Sequence, residues 1–200
     1  AMQAGALDYV QKPIKLGTLL PVLARAVEVR RLRQENMELR DKVTIHELNE
    51  AMAHTLDRDV LLARIAEAAM AQFQADEASI MLVTDDGGAQ QVAAVRGGAR
   101  EALLGTRAPV GEGVAGWVAA HREPLVLIGE VDDARWRPRH PRPQIQSALS
   151  MPMISRNSVI GVINVNCIAQ RRAFPQGQVK MLGIFTNAAA ASIEAAQMHE

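Results

Sequence analysis

Asp85-Asp86-Gly87-Gly88 sits between two runs of β-forming residues, at about 78–84 and about 90–96. An Asp-Gly step between such runs supplies the positive φ that a tight hairpin turn demands. A second pair of runs, about 146–154 and about 158–166, turns near Arg156–Asn157. Strands joined by turns this short pair antiparallel. Helical patterns lie on both sides of this β-rich middle. The chain therefore reads as α+β: a mostly antiparallel sheet covered by helices from both ends.

The first helical pattern runs from Leu16 to about Met52. Leu16, Leu20, Leu23 and Val27 recur every three or four residues, and Leu32, Asn36, Leu39 and Val43 continue the rhythm. A 3.5-residue period is that of a coiled coil. Leu32 and Leu39 take d positions, and Asn36 and Val43 take a positions. An asparagine at a fixes register and favours two strands. These four residues are the expected seam of a parallel homodimer, with an amphipathic connector as the other reading.

A second helix is expected from Asp57, whose side chain caps it, with Leu62, Ile65, Ala69 and Phe73 on the apolar side. A short helix at about 113–121 ends before Pro124, and a strand follows at about 125–128. The last helix runs from about Gln176 to Met198 and carries two apolar stripes. Val179, Leu182, Phe185, Ala189, Ile193 and Ala196 suit packing on the sheet. Met181, Ile184, Ala188, Ala191 and Ala195 form the second stripe. A surface helix needs only one such stripe, so the second is the expected continuation of the dimer interface.

Charge and composition narrow the function. Lys plus Arg number 22 and Asp plus Glu number 22, so no global charge holds the chain to nucleic acid. Hydrophobic residues at 48% with charged residues at 22% fit a folded chain rather than a disordered one. No apolar run is long enough to span a bilayer, and residues 1–10 lack the basic start and apolar stretch of a signal peptide. A cytoplasmic location without membrane contact is the expectation. The single Cys167 excludes an intrachain disulfide and any multi-cysteine metal or redox centre.

Chemistry-bearing motifs are few. Gly111-Glu112-Gly113-Val114-Ala115-Gly116 spells GxGxxG. A dinucleotide fold, however, needs a buried apolar strand before the first glycine and a full helix after the last. Here GTRAPV precedes it, so a tight turn into a short helix is the better reading. His46-Glu47-Leu48-Asn49-Glu50 begins like a zinc-protease helix but lacks the second histidine, and no metal site is expected. No nucleophile, base and acid stand in a catalytic pattern, so the chain is not read as an enzyme. The loop from Arg135 to Pro143, RWRPRHPRP, reads as a solvated basic surface loop; cover for an anion-holding pocket and contact with an acidic partner are the other readings.

The second hairpin separates two faces. An odd loop changes the assignment; with an even-numbered loop centred on Arg156–Asn157, Ile154 pairs with Val159 and Leu149 with Asn164. Ser147, Leu149 and Asn164 then share a mixed polar and apolar face, as a pocket wall would. A ligand is expected between this face and the 111–145 segment, with Trp117 and Trp136 as lids and His121 and Arg135 beside them. Its identity, and any cofactor, is not legible. The competing reading has both tryptophans filling a core beneath the loop.

Two resemblances stand on these residues. AGALDYVQKP at 4–13 looks like the end of a two-component receiver domain, in which a lysine before a proline contacts the acceptor phosphate and an aromatic three residues earlier is a switch side chain. Lys12 and Tyr9 match those positions, but the phosphoacceptor strands do not belong to this stretch, so a receiver remnant is implied and not receiver function. DVLLARIAEAA, ADEASIMLVTDDG, PVGEGVAGWVAAHREPLVL, SALSMPMISRNSVIGVINV and RAFPQGQVKMLGIFTNAAAASIEAA resemble a GAF domain in order and spacing. That resemblance implies a six-stranded antiparallel sheet with flanking helices, often a small-molecule pocket, and dimerisation through terminal helices. The signatures of the cyclic-nucleotide, methionine-sulfoxide-reductase and bilin-binding subtypes are absent.

The expected organisation is a receiver remnant at 1–30, a coiled-coil signalling helix at 31–52 and a GAF domain at 53–200. The expected role is a dimeric sensory or regulatory module of a bacterial two-component protein, relaying a ligand's state to receiver or output domains. A structural dimerisation module without ligand is the alternative.

Overall fold

The computed structural model describes residues 17, 19–32, 35, 57–98, 100–129, 133–137 and 141–197. The chain divides into two compact units, Ala1–Val43 and Thr44–Glu200. In the first, residues 19–32 form helix α1. Leu20, Leu23, Val27 and Leu32 are all at least half exposed on it. Arg31 pairs with Glu35 one turn on, at 2.8 Å. Tyr9, Lys12, Asn36, Leu39 and Val43 lie outside the described residues.

The second unit opens with α2 (Arg58–Gln72). Asp57 caps it by accepting from the Asp59 and Val60 amides, which satisfies two of the donors that a helix start leaves orphaned. Strands β1 (Glu77–Val83) and β2 (Ala89–Arg96) follow, joined at the Asp-Asp-Gly-Gly turn. Next come the one-turn helix α3 (Arg100–Leu103), strand β3 (Arg107–Pro109), helix α4 (Gly113–His121) and strand β4 (Leu125–Ile128). A 3-10 turn at Ala134–Trp136 leads toward β5 (Ser147–Ser155), β6 (Ser158–Cys167) and the long α5 (Gln176–Gln197).

The six strands lie in the order β3-β2-β1-β6-β5-β4, and every neighbouring pair is antiparallel. Helices α2 and α5 cover one face. Leu61, Leu62 and Ile65 from α2, with Phe73 at its C-terminal cap, meet Leu182, Phe185, Ala189 and Ile193 from α5 over Ile80, Leu149, Ile163 and Val165 of the sheet. Each large side chain buried there contributes about 1.5–3 kcal/mol of hydrophobic stabilisation. Phe73 and Phe185 meet edge to face, with ring centroids 6.3 Å apart. Among the described residues no helix is long and apolar enough to cross a membrane.

The β5–β6 register corrects the expected faces. Arg156 and Asn157 both have positive φ, at 45° and 68°, as a two-residue hairpin turn needs, and Ile154 does pair with Val159. The next pair is Met153 with Gly161, so Ile160 is an extra residue without a partner. One extra residue reverses which side chains share a face beyond it. Leu149 therefore pairs with Val165, and Ser150, not Leu149, sits opposite Asn164. Leu149 is fully buried in the helix-side core and leaves the candidate site. Ser147 pairs with Cys167, and its Oγ accepts the Arg172 amide at 3.0 Å.

Candidate functional site: a cavity on the free face of the sheet

The sheet face turned away from α2 and α5 carries polar side chains in the middle of β1, β5 and β6. Ser79, Ser150 and Asn164 are all buried there. The Ser150 hydroxyl donates to Asn164 Oδ1 at 2.7 Å, and Asn164 Nδ2 donates to Ser79 Oγ at 3.3 Å. Beside them Glu77, with no exposed surface, accepts from Asn166 Nδ2 at 3.0 Å and from both terminal nitrogens of Arg142. A buried carboxylate is tolerable only when paired and hydrogen-bonded in this way.

Across from this floor α3, α4, Arg137 and residues 141–145 form a roof, with edge strand β3 closing one side. Between floor and roof lies a cavity of about 520 Å³, within the usual range for small-molecule sites. Met81, Val92, Leu103, Val114, Leu127 and Ile145 supply its apolar wall. Arg107, Arg137 and Arg142 supply its cations. A second cavity adjoins it, sharing Leu103, Thr106 and Arg142.

The glycines of the GxGxxG stretch shape the roof. Gly111 and Gly113 have φ of 90° and 66°, which turn the chain into α4. A side chain at Gly116 would meet the Pro109 carbonyl at 2.6 Å, so the helix lies directly against β3. The motif closes a tight turn, consistent with its 9-residue helix.

The expected site residues separate into two groups. Asn164 and Ser147 line the cavity, although the Ser147 hydroxyl is occupied by Arg172. Trp117, His121, Arg135 and Trp136 do not line it. The His121 ring stacks on Trp117 with centroids 4.3 Å apart, and Trp117 meets Trp136 edge to face at 5.9 Å. Arg135 lies over the Trp136 ring at 4.5 Å and holds Asp133 through three side-chain hydrogen bonds. These bonds lower the Asp133 pKa to about 2. Both tryptophans pack against a small second core of Val118, Ala119, Leu125 and Val162. Their role as lids is thereby corrected: large apolar rings at this position are used to anchor α4.

Ser79, Ser150, Glu77 and Arg142 are site residues that the sequence did not single out individually. Arg142 and Arg137 belong to the basic loop, which is only partly a solvated surface. Arg142 is mostly buried against Glu77. Asn164 and Asn166, alternating with Ile163 and Val165 on β6, are the visible signal of a polar sheet face.

The helix-backed antiparallel sheet with a cavity on its free face defines an α+β domain. Residues 55–194 match the GAF domain family, and the chain belongs to it. GAF domains are sensory or regulatory modules of signalling proteins. The fold is similar to that of the GAF domain of an Acinetobacter phosphoenolpyruvate-protein phosphotransferase, with a TM-score of 0.69 and 18% identity over 80% of this chain and 96% of that one. The N-terminal region is similar to response regulators, as a receiver remnant is. The C4-dicarboxylate transport transcriptional regulatory protein DctD of Pseudomonas aeruginosa is 33% identical over 47% of this chain. A putative NtrX-like response regulator of Rickettsia conorii is 44% identical over 22% of it. The aligned stretches span 20% and 9% of those two proteins.

Proposed function

We propose that the chain is the sensory GAF module of a bacterial two-component signalling protein, homodimeric, with the free-face cavity as its small-molecule site. The observation that carries this reading is the polar Ser150–Asn164–Ser79 chain in the floor of a cavity with a largely apolar wall. Buried polar side chains in a cavity wall cost stability unless they serve a ligand or one another, and an apolar sheet face would have packed more simply.

In this proposal residues 1–30 are a receiver remnant carrying Tyr9 and Lys12, residues 31–52 a coiled-coil connector, and residues 53–200 the sensor. Occupancy of the cavity is relayed to neighbouring receiver or output domains through the terminal helices. Catalysis is not part of the proposed role.

The alternative is a ligand-free dimerisation module. Half-exposed Met181, Ile184 and Ala188 with exposed Ala191 and Ala195 on α5 favour it, since such a stripe suits a second copy. Native mass spectrometry of the purified protein separates the two. A dimer carrying a retained small molecule supports the sensor. A dimer without one, which also binds nothing from a metabolite library, leaves the structural role.

A further inference from the structure

We propose that the cavity takes a small organic anion, an apolar body bearing one carboxylate or comparable group. This rests on reading the cavity as a ligand site.

The charges point that way. Arg107, Arg137 and Arg142 line the cavity. Arg142 is spent on Glu77, which it grips with both terminal nitrogens. Arg107 donates to the neutral Gln91 Oε1 at 3.2 Å, and its charge also helps to lower the Asp86 pKa from outside the cavity lining. Arg137 has no hydrogen bond or ion pair among the described residues. Glu112, a carboxylate of the lining, is engaged in an interaction of its own. Among the residues that line the space, three arginines face one carboxylate.

The hydrogen-bond ledger of the floor agrees. Asn164 uses its oxygen on Ser150 and one amide hydrogen on Ser79. Its second amide hydrogen and the Ser79 hydroxyl hydrogen have no acceptor among the described residues. Both side chains are more than nine-tenths buried. Unspent buried donors call for an acceptor atom, which an anion or its carbonyl supplies. The first turn of α4 faces the same space through Gly113 and Val114, and Glu112 places no side-chain cap on it. Its amide groups favour negative charge there. The wall of Met81, Val92, Leu103, Leu127 and Ile145 excludes a ligand that is polar throughout. A cationic ligand meets the arginine excess and is rejected.

The test compares neutral and charged molecules of one shape. Phenylacetate and hexanoate are titrated calorimetrically into the full chain, beside phenylacetamide and hexanamide. The acids are expected to bind at least tenfold tighter than their amides. In Arg137→Gln that preference falls to about one while amide affinity and melting temperature stay unchanged. Equal binding of acid and amide by the wild-type chain overturns the anion and leaves the cavity a ligand site. A preference that survives Arg137→Gln upholds the anion and overturns Arg137 as its partner. Absence of binding by all four probes at millimolar concentration, with no retained ligand in native mass spectra, removes the ligand site itself.

Discussion

Arg142 holds both carboxylate oxygens of Glu77 across 65 positions of sequence, at a point where Glu77 has no exposed surface. This pair ties the basic segment to the first strand and forms part of the wall between the two cavities. Removing only the arginine leaves a buried charge without its partner. Arg142→Ala is therefore expected to cost about 3–5 kcal/mol. Replacing both, as Glu77→Gln with Arg142→Met, is expected to recover most of that. Urea unfolding of the single and double variants checks this. A single variant as stable as wild type would show that the pair is solvated in solution.

A second long-range tie predicts an acid response. The Asp76 carboxylate accepts from the Ala169 amide at 2.9 Å and the Ile168 amide at 2.6 Å. These bonds, Ala169 first, hold its pKa below the ordinary carboxylate value, with Arg172 adding in the same direction. A carboxylate with a depressed folded pKa contributes its full stability above the unfolded value, and loses it as pH falls through the folded one. Asp76→Asn should lower stability at neutral pH and flatten its loss below about pH 4. Urea midpoints across the acid range give the comparison. Parallel curves for the two proteins would remove Asp76 from the acid transition.

Two glycine substitutions should move stability in opposite directions. At Gly161, beside the unpaired Ile160, a new Cβ would overlap the Met81 carbonyl oxygen and lie 2.6 Å from Met153 Cε. The backbone must shift, and Gly161→Ala is expected to cost about 1–3 kcal/mol. At Gly183, inside α5, the nearest atom beyond the helix is Met151 Cε at 3.9 Å. Gly183→Ala therefore meets only ordinary contact and should gain about 0.5–1 kcal/mol from helix propensity. Thermal melts of both variants test the pair, and a stabilising Gly161→Ala would contradict the register at the bulge.

Gly161 also marks where sequence reasoning stopped. Elements bounded by strong local signals were legible: Asp57 starts α2 with its own side chain, and Pro124 separates α4 from β4. The β5–β6 turn was legible too, because Arg156 and Asn157 accept the left-handed conformation it needs. The polarity of β6 was legible, with Asn164 and Asn166 on one face and Ile163 and Val165 on the other. The face of β5 was not. One extra residue at Ile160 inverts it, and nothing local distinguishes a bulged Ile from a paired one. Helix α3 and strand β3 are only 4 and 3 residues long, too short to carry a period. The Glu77–Arg142 pair and the Ser79–Asn164 contact join residues distant in sequence, so only the folded sheet brings them together.

The proposed dimer makes the last prediction, and the fold decides which residue tests it. Ala188 lies in the middle of the second stripe on α5, but it is half-buried and packs against the helix-side core of its own subunit. Glutamate there would damage the monomer as well as any seam, and a lost dimer would be ambiguous. Ala191 belongs to the same stripe and is exposed in the single chain. Ala191→Glu therefore costs the monomer little, because exposed helix positions tolerate glutamate well. Across a dry seam between two copies it would bury two like charges face to face, which is costly when neither is paired. The expected outcome is a monomer by light scattering with the circular dichroism spectrum of the wild type. An intact Ala191→Glu dimer with unchanged stability would place position 191 outside the interface and remove α5 from the path by which the sensor reaches its neighbours.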